Sequence, residues 1–497
     1  MTALERAIDR PAPAPQFAER SSLHGLERRT VGLTDVIAQS VAAVAPSAAA
    51  TTVILLVSGI AGDLTLLSVV MAALISLLVA RSINEFARRM VGTGSVYTYV
   101  AQSLGPIPSM AAGAAILVAY VFVSVFALLG AAHYSLMLLQ RVWPDIDGAG
   151  ATTLVLLVEG VILAIILVRG IRLSTRLALI AEVLSVVVIV VLLVVLVVTI
   201  GPVDLGAIVP AGGISPTTLL AGTVLALTAF VGFESATTLG VEARSPLRSI
   251  PRAIVWTVIV TGALYLLAAY AQIAGFRALD LGLGSSDSPM NTLATRHGLD
   301  GWGIAMDAGI VASFLACAIA STTACTRVLF TLGRDRVAPA FFGRTHARLR
   351  TPIGAVVVAV PVVTLIPVAV VACGFGAWPA MQTVIVVSAA GYIVAYALVC
   401  LAVPVFLHRI GELTWRAGAV AIASVVLLSL SLAAYLAVET ATGNPGIAVT
   451  AVVVVLAAAA VALRARRFRR APRKIGVYDE PTAAQVLGGV AREAGDD

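Results

Sequence analysis

Stretches of about twenty mostly apolar residues, the length that spans the hydrocarbon core of a bilayer, recur through this chain and leave it few ways to fold. Twelve are read from the sequence: Thr34–Gly59, Leu64–Ala80, Ser109–Leu139, Thr152–Val168, Leu177–Ile200, Thr217–Gly240, Ala253–Ala274, Ile304–Phe330, Pro352–Val371, Met381–Leu407, Ala417–Val438 and Gly446–Leu463. Inside hydrocarbon each backbone N–H and C=O needs a partner within the protein, so each stretch is expected to be a helix. The expected fold class is an all-α polytopic membrane protein. Hydrophobic residues make up 60% of the 497 and charged residues 12%, too little polar surface to coat a water-soluble core of this size. The third and tenth stretches are long enough to tilt or to begin outside the bilayer.

Charge sets the orientation. With the N-terminus inside, only Arg141, Arg277 and Arg296 of the 33 lysines and arginines fall in outer loops. Basic residues concentrate in cytoplasmic loops, so both termini are expected in the cytoplasm of a multi-pass plasma-membrane protein. Topology thus accounts for the net charge of +7, and no nucleic-acid partner is expected. Residues 1–33, polar and carrying the Pro11–Pro15 PAPAP stretch, are expected to be a disordered cytoplasmic tail and not a cleavable signal peptide. Residues 464–497 form a basic tail whose run Arg464-Ala-Arg-Arg-Phe-Arg-Arg470 is suited to anionic lipid head groups. Cys317, Cys325, Cys373 and Cys400 lie in apolar surroundings without CxxC spacing, which predicts buried apolar side chains, with no disulfide framework, metal site or cofactor.

Two segments are poor simple helices. In the first, Pro46 sits mid-span among alanines, where it removes one helical hydrogen bond and clashes with the preceding turn. In the sixth, Gly232 and Glu234 interrupt an apolar run, and an ionised glutamate at mid-bilayer costs about 2.5–3.5 kcal/mol on insertion scales. The first and sixth segments are corresponding members of two five-helix halves. Interrupted helices at matching places in two halves point to a transporter's central site.

Three stretches resemble the amino acid–polyamine–organocation permeases. The first is Arg81-Ser-Ile-Asn-Glu-Phe-Ala-Arg-Arg89, then Gly92-Thr-Gly-Ser-Val-Tyr-Thr-Tyr99 and Gly105-Pro106. The second is Phe230-Val-Gly-Phe-Glu-Ser235 with Val241-Glu-Ala-Arg-Ser-Pro-Leu-Arg-Ser-Ile-Pro-Arg-Ala253. The third is Arg327-Val-Leu-Phe-Thr-Leu-Gly-Arg-Asp335 with Pro339 and Thr351-Pro352. The resemblance runs from about Asp35 to Leu407 and implies the leucine-transporter fold: residues 34–200 (helices one to five) and 217–408 (helices six to ten) as inverted repeats, with helices eleven and twelve at 414–463. It implies too that the two broken segments together bind an amino acid or related amine. Many family members carry a glycine-rich break in helix one whose amides take the substrate carboxylate. Here alanines, Pro46 and Ser47 fill that stretch, so the resemblance places the site better than it names the substrate.

The expected substrate-binding groups are Ala42, Ala45, Pro46, Ser47 and Ala48 in helix one and Phe230, Gly232 and Phe233 in helix six. Free amides at a half-helix N-terminus favour a carboxylate and free carbonyls an ammonium. Ser47 equally well satisfies its own helix, and the two phenylalanines equally well pack on neighbours. Thr228 stands where relatives often place a gating aromatic. Glu234 and Glu182 are the proton-coupling candidates; Glu159, on a helix outside the site in this fold, is weaker. Ser321, Thr322 and Thr323 supply hydroxyls for a sodium ion or for interhelical packing. His133 is expected to be a packing residue. Glu85 with Arg88 and Arg89, and Asp335 with Arg334 and Arg336, are expected to form cytoplasmic ion-pair latches, each contributing roughly 0–1 kcal/mol.

The leading function is a secondary active permease for an amino acid or related amine, with a polyamine or other organic amine as the alternative substrate. No GxxxxGK[ST] loop is present for nucleotide drive. An intramembrane enzyme would need a nucleophile–base pair or metal ligands; neither HExxH nor GxSxG occurs, so the chain is not read as an enzyme. A non-transporting sensor has no appended signalling domain to support it.

Overall fold

The computed structural model describes residues 21–201, 213–279, 281–283, 288–296, 298, 300–470 and 475–479. Helices account for all twelve expected segments. Their labels follow the expected spans: α1a Leu33–Val44, continued after a break by Pro46–Ala48, a π-helical turn Ala49–Val53 and α1b Ile54–Ala61; α2 Thr65–Ala87; α3 Pro106–Gln140; α4 Gly148–Arg169; α5 Ile171–Ile200; α6a Pro216–Thr228, followed by the tight 3-10 turns α6b Phe233–Leu239; α7 Pro246–Ala278; α8 Asp300–Arg334; α9 Ile353–Ala372; α10 Ala377–Arg409; α11 Trp415–Thr442; and α12 Pro445–Arg470. Eleven stretches among the described residues are long and apolar enough to cross a membrane. The first, Leu33–Ala87, is 55 residues and holds two spans, because the chain reverses at Gly62 with φ 51°.

The long α3 is the spine, with α8 and α10 packed along it. The broken spans sit inside: every described residue from Ala221 to Ala243 is buried, as is every residue from Ala42 to Val57. The periphery is the inverse. On α12, Val452, Val454, Val455, Leu456 and Leu463 are exposed, as lipid-facing side chains are where tails replace water. Two short helices, Val96–Leu104 and Pro289–Arg296, lie at opposite ends of the bundle.

The first and last described segments, from Ser21 and up to Asp479, meet at one end of the bundle, and here the tail expected to be disordered over 1–33 needs correcting. Residues 1–20 lie outside the described residues, but the segment from Ser21 onward is packed. Leu23 and Leu26 are buried against Val241 and Phe330. The amides of Thr30 and Val31 donate to the Glu242 carbonyl, and the Arg244 amide donates back to the Val31 carbonyl. Two leucines among polar residues suffice to anchor the strip, a signal too short to show as periodicity. On the basic tail, α12 runs through Arg464 to Arg470, while 471–474 and 480–497 lie outside the described residues. Ile475–Asp479 returns across the same face. The Gly476 amide donates to Asp335 at 2.6 Å, and Asp479 pairs with Arg28 at 2.8 Å and Arg29 at 3.2 Å.

The expected latches are rearranged. Arg89 pairs with Glu85 at 2.8 Å as expected and also with Glu412 at 2.7 Å. Asp335 pairs with neither neighbouring arginine: it accepts the Tyr97 hydroxyl at 2.6 Å, while Arg334 donates to the His24 carbonyl. Burial pushes the Asp335 carboxyl up, against the opposing pull of Tyr97 and the Gly476 and Val477 amides. Of the cysteines, Cys317, Cys325 and Cys400 are buried, but Cys373, at the end of α9, is exposed.

The one fully buried ion pair at this end, among the described residues, joins Arg327 of α8 to Glu242 after α6b. It is two-pronged, at 2.6 and 2.9 Å, with side-chain exposures of 5% and 2%. Removing one partner of such a pair strands the other charge, at about 3–5 kcal/mol, whereas replacing both is far milder. Glu242→Ala is therefore expected to lower the melting temperature of the purified protein in detergent by several degrees. The double variant Glu242→Met/Arg327→Met should recover most of that loss, and an unchanged melting temperature in the single variant would contradict the assignment.

Candidate functional site

The break in the first span is made by two residues. Ala45 adopts left-handed geometry, φ 51° and ψ 61°, at a cost of roughly 1–2 kcal/mol for a residue with a side chain. Pro46 follows, disfavouring helical geometry in the residue before it and lacking an N–H of its own. The break in the sixth span centres on Gly232, whose φ of 105° suits glycine. The two breaks touch. A Cβ on Gly232 would lie 2.7 Å from the carbonyl oxygen of Ala43, so only hydrogen fits there. Two hydroxyls stitch the contact: Ser40 donates to the Phe233 carbonyl at 2.7 Å and Ser235 to the Gln39 carbonyl at 3.2 Å.

Several of the freed backbone groups find a side chain. The Ser47 amide, at the start of the resumed helix, donates to Glu182 Oε1 at 3.1 Å, and the next amide, Ala48, donates to Ser313 Oγ at 3.2 Å. Ser313 in turn donates to the same Glu182 oxygen at 3.0 Å. A carboxyl group of α5 thus occupies the positive end of the resumed helix, the place where a helix N-terminus favours an anion. On the other side, Ala42 and Ala43 pack on Ala316 and Ala320 of α8, and the Cys317 thiol donates to the Ala43 carbonyl at 3.3 Å. Small side chains let these backbones close up.

Glu234 is wholly buried and fully engaged. It accepts from the Tyr120 hydroxyl of α3 at 2.8 Å, from the Gly232 amide at 3.1 Å and, in a short bond, from the Tyr396 hydroxyl of α10. Phe233 stacks on Tyr396 with ring centroids 5.6 Å apart, and Tyr392 packs against both tyrosines. Around the first break the balance is different. Glu182 Oε2, Ser47 Oγ, Gln39 Oε1 and Gln272 Oε1 are buried without a hydrogen-bond partner. The amide nitrogens of the two glutamines are spent on backbone carbonyls, Gln39 on Ala320 at 2.8 Å and Gln272 on Ala50 at 2.9 Å. All four orphaned atoms accept hydrogen bonds, and three of them only accept.

Of the residues expected to form the site, Ala42, Ala45, Pro46, Ser47, Ala48, Gly232, Phe233, Glu234 and Glu182 lie on or against the two breaks. Phe230 also lies in the sixth break, but its ring packs edge-on against Tyr265 of α7, 5.0 Å away. Thr228 bonds to its own helix at the Leu225 carbonyl. Thr322 donates to Ser124 of α3 at 3.2 Å and Ser321 lies 3.9 Å from the Cys317 sulfur, so the α8 hydroxyl at the break is Ser313, two turns earlier. Among the described residues no three or more His, Cys, Asp or Glu side chains group as a metal site. Glu159 is buried where α4 meets α9, away from the breaks, and His133 lies between the Tyr134 and Trp378 rings. Sequence reasoning missed Tyr120, Tyr396, Ser313, Gln39 and Gln272. The signal for the glutamines was available, since an uncharged amide inside an apolar span is as conspicuous as a glutamate.

Comparison with known proteins matches the sequence to the amino acid permeases. The family model for amino acid permeases fits residues 35–440. The branched-chain amino acid permease BcaP of Bacillus subtilis is 24% identical over 314 residues, covering 59% of this chain and 64% of that protein. An uncharacterized transporter of Mycobacterium tuberculosis is 28% identical over 367 residues, covering 72% of this chain and 76% of its own length. The chloroplastic cationic amino acid transporter 6 of Arabidopsis thaliana is 24% identical over 321 residues, with 59% of this chain and 53% of that protein aligned. With both broken spans and the helices that hold them inside the matched region, this chain belongs to the amino acid permease family.

Proposed function

We propose that the chain is a secondary active transporter that carries an amino acid or a related amine across the plasma membrane by alternating access, with the substrate's ammonium group held at the break of the first span. The observation that carries the reading is the set of four orphaned acceptors there, beside two buried carboxyl groups with no lysine or arginine among their bonded partners. An unpaired buried acceptor costs about 1–3 kcal/mol, and an ammonium supplies three donors and the missing charge. With Glu182 already on the Ser47 amide, the resumed helix offers a substrate carboxylate less than a bare helix N-terminus would. Family membership favours an amino acid; a simple amine or polyamine is the second reading, favoured by that occupied amide.

The same proposal takes 34–200 and 217–408 as inverted repeats of the leucine-transporter type, with 414–463 outside them and both termini cytoplasmic. Matching breaks in α1 and α6 support the repeats, and the basic loops support the orientation. The anionic lipid surface is the partner for Arg464–Arg470.

Ligand binding to the folded state raises its melting temperature by mass action. Purified protein is expected to be stabilised by members of an amino acid panel, with amines of similar size giving less. Stabilisation by amines alone would move the reading to an organic-amine carrier, and no response to either class would sink it.

We further propose that coupling is to protons through Glu182, whose second oxygen is free, and not through Glu234, whose oxygens are held by two tyrosines and an amide. In proteoliposomes an inward proton gradient should drive accumulation and a sodium gradient alone should not. Glu182→Gln is expected to retain exchange of substrate while losing gradient-driven accumulation at least tenfold. Full accumulation by Glu182→Gln, or accumulation on sodium alone, would overturn the assignment and direct attention to Ser313, Ser321 and Thr322.

A further inference from the structure

A cavity of about 330 Å³ opens at the end of the bundle away from the Arg28–Asp479 pair, between the resumed first span, α6a, α10 and α11. Its floor is apolar, from Leu55 and Ile60 of α1b and Leu225 of α6a; its walls bring Trp378 and Gln382 of α10 against Tyr435 and Glu439 of α11. The volume is at the lower end of the range for sites that hold small molecules. We propose that this cavity is a second binding site, distinct from the central one, for an alkylammonium group.

Charge is the first reason. Glu439 is 5% exposed and stands in the last turn of α11, which ends at Thr442 and carries no basic residue in that turn. The C-terminal end of a helix already bears partial negative charge, so a carboxylate there is unfavourably placed twice over. Only neutral side chains, Asn444 and Tyr435, reach it, and no ion pair engages Glu439 among the described residues. A cation in the cavity relieves both terms at once.

The walls are the second reason. The Tyr435 hydroxyl, buried one helical turn before Glu439, stops short of a completed hydrogen bond and is left as a spare polar contact. Trp378 presents an indole to the same space, and a cation over an indole face gains about 0.5–2 kcal/mol. An acid, an aromatic wall, an amide and an apolar floor together fit a primary ammonium bearing a short apolar chain. They do not fit a carboxylate or phosphate. Any part this site plays in transport, as a first stop for an arriving amine, rests on the transporter reading; the binding itself does not.

The test uses the full chain in lipid nanodiscs, titrated with n-propylammonium chloride against matched sodium chloride and followed by tryptophan fluorescence. Wild type should give a saturable change that disappears in Trp378→Phe. Glu439→Gln should raise the half-saturating concentration at least tenfold, and Gln382→Glu, which adds a second carboxylate to the same wall, should lower it. The proposal is overturned if wild type shows no saturable change, if neutral n-propanol gives the same response, or if the response survives Glu439→Gln and is lost in Gly232→Ala, which would place the amine at the central site. Failure of amino acid uptake in proteoliposomes would count against the transporter reading alone and leave this result standing.

Discussion

A helix opens in the middle of an apolar bundle only where other groups take the hydrogen bonds it gives up. In this protein two helices open at the same place and lean on one another. The Gly232 backbone lies against the Ala43 carbonyl, and Ser40 and Ser235 exchange hydroxyl-to-carbonyl bonds across the contact. Much else follows from that meeting. Glu182 and Ser313 are drawn in to satisfy the amides of the resumed first span, and Glu234 is turned so that Tyr120 and Tyr396 can reach it. The strain held at Ala45 is tolerated because its surroundings are fixed from α5, α6 and α8 together.

The two carboxyl groups are treated differently, and the difference carries the functional account. Glu234 is locked by donors from α3, α10 and its own break, which makes it a cross-brace between the broken sixth span and the spine. Glu182 has both its donors on one oxygen, and the other is left bare. A fully satisfied group has little reason to change its state; a half-satisfied one gains when a proton or an ammonium arrives. At the far end of the bundle Glu439, at the wall of a cavity, likewise has neutral side chains and no cationic one beside it among the described residues.

The helices and the two breaks were legible in the sequence because their causes are local. Apolar length dictates a span, Pro46 forbids a hydrogen bond, and Gly232 permits a positive φ. What was not legible depends on rotation about a helix axis. Nothing in the order of residues says that Ser313 and not Ser321 faces the first break, or that Phe230 turns toward Tyr265 while Phe233 turns toward Tyr396. The ion pairs at the terminal end escaped for a related reason. Arg327 and Glu242 are 85 positions apart, and Asp335 takes its partners from Tyr97 and Gly476 instead of from its charged neighbours. Proximity in sequence is a poor guide to pairing where folding brings distant segments together.

The central claim is that the contact between the two breaks forms the transport site. Gly232→Ala tests it most directly, because the added methyl meets the Ala43 backbone and no flexible side chain can make way. Substrate-induced stabilisation and uptake into proteoliposomes, measured on the same preparation, should both fall at least tenfold in Gly232→Ala, while Gly150→Ala in α4, where an added Cβ meets open space, keeps both. Uptake and ligand stabilisation at wild-type levels in a folded Gly232→Ala protein would contradict the account.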